Sequence, residues 1–217
     1  MALPLLQIAL DDTVLENALS TAKAVADGVD IIEAGTILCV SEGVRTVSLL
    51  RSLYKDKIIV CDLKVADAGD VLARKAFGAG ASYMTVICAA PIATMVAARQ
   101  VADDNGGEIQ IELFGSWTFD DARQWLDNGI RQAIYHRGRD AERSGVSWSS
   151  EDLDKMKRLS DLGIELSVTG GIKPQDIHLF KDINVKAFIA GRSIARAADP
   201  LQACNEFKEK FREYFKA

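Results

Sequence analysis

The sequence predicts a single-domain (β/α)₈ barrel. Short apolar runs rich in Val and Ile alternate with longer amphipathic segments along the whole chain. The runs are nearly continuous rather than alternating, as strands covered on both faces should be. Eight strand-then-helix units in 217 residues fit one closed parallel barrel with short loops. The competing architecture is an open doubly wound sheet. It usually carries a Gly-rich turn after its first strand, whereas here Leu10 runs into Asp11-Asp12.

The first run, Leu5 to Leu10, follows an N-terminus without a basic flank and ends at Asp11. It reads as a buried strand and not as a signal peptide. Thr13 to Glu16 has capping-box spacing and predicts the start of the first helix. The second run, Val29 to Ile32, ends at Glu33, and the third, Lys57 to Cys61, leads into Asp62-Leu63-Lys64-Val65-Ala66-Asp67. The fourth, Ser82 to Ile87, ends near Cys88 and alone lacks an ionisable or phosphate-binding group there. The fifth, Ile109 to Leu113, carries Glu112. Thr118 can cap the helix that follows, and Asn128-Gly129 stops it. The sixth, Gln132 to Tyr135, ends at His136, and residues 138–150 form the longest irregular segment, a candidate active-site loop. Ser149 to Asp152 repeats the capping-box spacing. The seventh, Ile164 to Val168, ends at Thr169-Gly170-Gly171, and the eighth, Lys186 to Ala190, at Gly191-Arg192.

Composition narrows the functional classes. A hydrophobic content of 48% with 26% charged residues is ordinary for a globular protein in water. A net charge of -5 argues against a nucleic-acid footprint. No apolar run approaches the roughly 18 residues of a membrane span. Cys39, Cys61, Cys88 and Cys204 are scattered without a CxxC pair, so neither disulfide staples nor a zinc site is expected and a reducing cytoplasm fits.

In a parallel barrel the C-terminal strand ends converge on one mouth, where active sites sit. Asp11, Glu33, Asp62, Lys64, Glu112, His136 and Arg192 all fall at such ends. Charges gathered there need partners, a metal or a ligand, because each buried unpaired charge costs several kcal/mol, roughly. Asp62 and Lys64 are two apart and leave an extended strand on one face. Read alone, they could equally be a surface ion pair. Glu33 and Asp62 lie on neighbouring strands, and two carboxylates facing one pocket repel unless one is protonated or a cation lies between them. Few hard oxygen ligands suit Mg²⁺, the alternative being a carboxylate paired with Lys64 and no metal. Thr169-Gly170-Gly171 and Gly191-Arg192 sit after strands seven and eight, where many barrels bind phosphate on backbone N–H groups. His136 can relay protons, and Arg139 can position a water or a substrate oxygen. Arg137 is expected to point away, His178 to lie on a helix surface, and Trp117, Trp125 and Trp148 to serve packing or the rim.

With these residues in hand the chain resembles the orotidine 5′-monophosphate decarboxylase suprafamily. The resemblance rests on Asp62-x-Lys64-x-x-Asp67 with Asp11 after the first strand, and it runs from Leu6-Gln7 to Ala190-Gly191-Arg192-Ser193. Glu33 stands where the orotidine enzymes have a lysine, which points to the metal-dependent sugar-phosphate branches. Glu112, His136-Arg137-Gly138-Arg139-Asp140 and Thr169 favour the branch that decarboxylates 3-keto-L-gulonate 6-phosphate over the branch that adds formaldehyde to ribulose 5-phosphate. Gly138, where many relatives have Ser, is a minor departure.

The resemblance implies an Mg²⁺-dependent carboxy-lyase that passes through an enediolate to L-xylulose 5-phosphate, in bacterial ascorbate or diketogulonate catabolism. It implies Mg²⁺ on Glu33 and Asp62, with Lys64 beside it. It makes the enzyme a homodimer in which Asp67 crosses the interface. Asp11 would bind sugar hydroxyls. Glu112, His136 and Arg139 would order the water that reprotonates the intermediate. Thr169, Gly170, Gly171, Gly191 and Arg192 would line the phosphate end. A non-catalytic sugar-phosphate sensor on the same scaffold remains the alternative from a different class.

Overall fold

The structure, a computed structural model, describes residues 3–215. Eight parallel strands close in sequence order: β1 (Leu5–Leu10), β2 (Ile31–Ala34), β3 (Ile58–Val65), β4 (Tyr83–Ile87), β5 (Glu108–Leu113), β6 (Gln132–His136), β7 (Glu165–Thr169) and β8 (Val185–Ala190). β1 pairs with both β2 and β8, which removes any free edge. The helices are α1 (Leu15–Val25), α2 (Thr36–Glu42), α3 (Arg45–Leu53), α4 (Gly69–Gly78), α5 (Ile92–Asp104), α6 (Phe119–Asp127), α7 (Arg139–Arg143), α8 (Ser150–Asp161), α9 (Arg192–Ala195) and α10 (Pro200–Tyr214). A 3₁₀ helix, Pro174–Phe180, stands between β7 and β8 and carries His178 on its exposed side. No helix among the described residues is long and apolar enough to cross a membrane.

Strand alternation separates two environments. Outward residues such as Leu6, Ile8, Leu10, Ile32 and Ile59 merge with the apolar stripes of the helices into one core. Inward residues Ile31, Val60 and Ala187 form a small apolar floor. Two residues further along the same faces stand Glu33, Asp62 and Ile189, one step closer to the C-terminal mouth. Buried amides share the interior: Gln110 Nε2 donates to Gln132 Oε1 at 2.8 Å, and Gln132 Nε2 to Glu108 Oε2 at 2.7 Å. The pairing is incomplete: among the described residues Gln7 Oε1 and Gln110 Oε1 are buried without a hydrogen-bond partner.

The apolar runs locate every strand but misplace several ends. β2 begins at Ile31, not Val29, and contains Glu33, while β3 continues past Cys61 to Val65 and contains Asp62 and Lys64. The interior near the mouth is polar, so a criterion based on apolar runs stops short of the true strand ends. The Thr13 box does not form. Val14 occupies the N-cap with extended backbone, and no side chain caps α1. Thr118 and Ser149 do make reciprocal capping boxes with Asp121 and Asp152. The expected irregular segment 138–150 contains α7, whose first turn holds Asp140 and Glu142 where acidic groups favour the helix dipole.

Candidate active site

The centre of the site is built by a break in β3. Cys61 pairs with Met84 and Val65 with Val86, so Asp62, Leu63 and Lys64 stand opposite Thr85 alone. Lys64 takes a left-handed backbone, φ 47°, as does Ala68 at φ 53° in the same segment. Non-glycine residues in that region are strained and persist where surrounding bonds hold them. Here Thr85 does so. Its Oγ1 accepts from Lys64 N at 2.8 Å and donates to Asp62 Oδ1 at 2.6 Å. Asp62 and Lys64 do meet, as their spacing predicts, but through a bulge rather than through regular alternation.

Lys64 Nζ donates to Asp62 Oδ2 at 2.5 Å and lies 3.1 Å from Glu112 Oε1. Burial alone would drive this ammonium towards neutrality. The charges of Asp62 and Glu112 outweigh it and hold Lys64 protonated, above the ordinary lysine range. Asp62 Oδ2 also accepts from Thr36 Oγ1 at 2.6 Å and from Thr36 N at 3.2 Å. Burial would raise Asp62, yet Lys64, Thr36 and Thr85 together keep its carboxyl below the usual range. Asp67 is exposed beyond the end of β3 and does not line the cavity of its own chain. Within one chain, Glu112 therefore supplies the second carboxylate on Lys64.

Glu33 is pushed the other way. It is buried, with Gln7 Nε2 donating to its Oε2 at 2.5 Å. Burial and the neighbouring Asp62 raise its carboxyl well above the ordinary value. Among the described residues no ammonium or guanidinium forms an ion pair with Glu33. A shared divalent cation is the arrangement that would let both carboxylates be charged, so the donor set fits Mg²⁺. No group of three or more His, Cys, Asp or Glu gathers as a cage among the described residues. The remaining ligands would have to be water and substrate oxygens.

Glu112 joins this centre to His136. Its Oε1 lies 2.5 Å from His136 Nδ1, which leaves Nε2 of the imidazole free of that contact. Phe114 packs its ring 4.5 Å from the imidazole, centroid to centroid. Asp11 and Arg139 meet each other in the cavity. Arg139, at the start of α7, donates through Nη2 to Asp11 Oδ2 at 2.8 Å, which leaves its other guanidinium N–H groups and Asp11 Oδ1 outside that bond. Burial raises the Asp11 carboxyl, and Arg139 offsets only part of the rise. Gly35 allows this packing, because a Cβ there would lie 2.4 Å from Asp11 Oδ1.

The glycines and Arg192 come from β7 and β8. Gly170 and Gly171 hold φ of 116° and 62°, which ordinary side chains rarely adopt. Thr169 Oγ1 donates to Ile189 O at 3.2 Å and so ties these two strand ends together. Arg137 donates to Gly170 O at 2.7 Å and stacks 4.7 Å over Trp148, which fixes the outer wall. One cavity of about 660 Å³ takes in Glu33, Asp62, Lys64, Glu112 and His136 together with Gly171, Gly191 and Arg192. Four contributors carried no assigned role in the sequence reading: Thr36, Thr85, Gln7 and Glu142. Gln7 stands at the start of the stretch that carries the resemblance, and Glu142 lies in the candidate loop 138–150, though neither was singled out. Nothing in the sequence pointed to a role for Thr36 or Thr85.

A family model described as Orotidine 5′-phosphate decarboxylase / HUMPS family matches residues 4–207. The chain belongs to this family. Within it, the chain is 60% identical to 3-keto-L-gulonate-6-phosphate decarboxylase SgbH of Escherichia coli K12, over 95% of this chain and 94% of that relative. Its fold superposes on the crystal structure of 3-keto-L-gulonate-6-phosphate decarboxylase from Vibrio cholerae with a TM-score of 0.94 and 52% identity, covering 99% of this chain and 100% of the other. The 3-hexulose-6-phosphate synthase of Salmonella typhimurium shares the family's barrel at a TM-score of 0.90, but only 26% identity, over 97% of this chain and 99% of the synthase. The chain thus stands much nearer the family's decarboxylases than its synthases.

Proposed function

We propose that this chain catalyses Mg²⁺-dependent decarboxylation of 3-keto-L-gulonate 6-phosphate to L-xylulose 5-phosphate and CO₂. The observation that carries the reading is the single cavity joining Lys64, between Asp62 and Glu112, to Gly171, Gly191 and Arg192. A protonated amine in a carboxylate array is what a reaction that builds negative charge on oxygen requires. A glycine-and-arginine cradle suits the phosphate of the same substrate. The 60% identity to SgbH supports the choice of substrate.

The bond from carbon to the carboxylate breaks, and its electron pair passes into an enediolate. Glu33 and Asp62 would hold Mg²⁺, which supplies positive charge beside the substrate oxygens where that charge develops. Lys64 adds a preorganised cation at the same place and needs no reorganisation during the reaction. Thr85 and Thr36 keep Lys64 and Asp62 in register. His136, oriented by Glu112, orders the water that returns one proton to the carbon that lost CO₂. Arg139 contributes to that order through α7, and Asp11, on its remaining oxygen, receives a sugar hydroxyl. Thr169, Gly170, Gly171, Gly191 and Arg192 take the phosphate.

The functional unit in this reading is a homodimer, with Asp67 of the partner subunit completing the ring around Lys64. The exposure of Asp67 at the rim of its own chain agrees with that placement. The setting is the cytoplasm of a cell that degrades ascorbate or diketogulonate. Parallel assays test the substrate assignment. CO₂ release from 3-keto-L-gulonate 6-phosphate should far exceed formaldehyde consumption with ribulose 5-phosphate. The reverse ranking would assign the chain to the synthase reaction instead.

A further inference from the structure

Glu142 has no part in that chemistry, yet it occupies the phosphate end. Its Oε2 accepts from Arg192 Nη2 at 2.5 Å. Its other oxygen lies so close to Gly171 that a Cβ on that glycine would come within 2.3 Å of it. The chain thus fills its own anion cradle with a carboxylate, and a second anion cannot share Arg192 and Gly171 without repulsion.

A place for a displaced Glu142 lies next door. A second cavity of about 300 Å³ is lined by Glu142 and Gly171 together with Arg137 and Lys173. Both cations line the first cavity as well, so Glu142 stands where the two cavities meet. α7, which carries it, has five residues and buries none of them, so little packing opposes movement of the side chain.

We propose that Glu142 is a specificity-determining residue, a built-in competitor that yields Arg192 to a phosphate dianion and withholds it from a carboxylate. The inference rests on the phosphate reading above. The proposed substrate has an anion at each end, and a bare cationic cradle would accept either one. A substrate carboxylate gains nothing by displacing another carboxylate from Arg192. A phosphate carries more charge and more acceptor oxygens and does gain. Glu142 then moves toward Lys173, and the substrate is held with its phosphate at β7–β8 and its carboxylate at Lys64.

The test compares wild type with Glu142→Gln, which keeps shape and removes charge. The probes are inorganic phosphate and acetate, read by calorimetry and as competitive inhibitors of CO₂ release. The expected result is phosphate binding tightened about tenfold in Glu142→Gln, acetate inhibition present in the variant alone, and a fall in KM larger than any change in kcat. Lys173→Ala should weaken phosphate binding in the wild-type background and have little effect beside Glu142→Gln, because the receiving cation then matters no more. Equal or weaker phosphate binding in Glu142→Gln, with wild-type turnover intact, would overturn the proposal and leave the decarboxylase reading standing. Failure of phosphate to bind either protein would overturn the proposal together with the phosphate assignment of Gly171, Gly191 and Arg192, while CO₂ release decides the reaction separately.

Discussion

Lys64 holds the site together, and its environment shows why a single residue can decide activity. It is charged because Asp62 and Glu112 outweigh the cost of its burial, and it is positioned because Thr85 fixes a strained backbone. Lys64→Ala is expected to lower kcat/KM by about 100-fold or more, the scale of losing one preorganised electrostatic group. Circular dichroism would check that the variant stays folded; a folded variant with near-full turnover would contradict the enediolate scheme. Glu33 gives the complementary prediction. As a buried carboxylate without a cation it opposes folding, so Glu33→Gln should stabilise the protein in EDTA by roughly 1–3 kcal/mol. Mg²⁺ should raise the Tm of the wild type and leave that of the variant unchanged. A Tm rise of equal size in both would remove Glu33 from the metal site. These residues were legible in the sequence because chemistry-bearing types fell at strand ends. Thr85 was not. A lone threonine inside an apolar run gives no signal until the bulge in β3 turns it into a bridge.

At the scale of elements, β3 and α8 make contrasting cases. The bulge places Lys64 over Asp62, and Thr85→Val removes both bonds that span it. The buried Asp62 oxygen and Lys64 N–H would then lack this partner, at a cost of about 1–3 kcal/mol, and kcat should fall with stability. Urea denaturation and turnover of one preparation measure both. α8 is fixed instead by its Ser149–Asp152 capping box, which spacing alone revealed. Burial would raise Asp152, but bonds from Ser149 and Tyr135 outweigh it and hold its carboxyl below the ordinary value of 3.8. A depressed carboxyl contributes stability above its unfolded value and loses it as pH falls through the folded one. Asp152→Asn should therefore cost stability at neutral pH and much less near pH 3, as denaturant midpoints at the two pH values would show. The Thr13 box failed by one residue: spacing cannot say which residue takes the extended N-cap conformation, and Val14 took it. α7 was hidden for a related reason, since its few polar residues read as loop and show no apolar stripe.

For the whole molecule, barrel closure follows from eight apolar runs that are buried on both faces and have no free edge once β8 meets β1. The charged side chains of the interior gather at the C-terminal mouth, above the apolar patch of Ile31, Val60 and Ala187, while Gln110, Gln132 and Glu108 make a polar chain toward the N-terminal end. This asymmetry was only half visible in sequence. Apolar runs showed where strands lie, but inward Gln7, Gln110 and Gln132 look like breaks in a run until the barrel supplies acceptors for their amide N–H groups. The C-terminal helix closes the outer core through Phe211, which stacks 5.2 Å from Phe188 on β8. Phe188→Ala should cost about 3–5 kcal/mol and lower Tm while leaving the response of turnover to Mg²⁺ and EDTA as it is in the wild type. A change in that response would mean that the mouth and the outer core are coupled. The reaction proposed for this barrel mouth is decarboxylation of a keto sugar phosphate with a metal on Glu33 and Asp62. The most direct measurement is CO₂ release from 3-keto-L-gulonate 6-phosphate by wild type, with Mg²⁺ and again with EDTA. The expected result is release with Mg²⁺ that EDTA abolishes and added Mg²⁺ restores. No release in either condition from folded protein would contradict the function, and release indifferent to EDTA would contradict the metal.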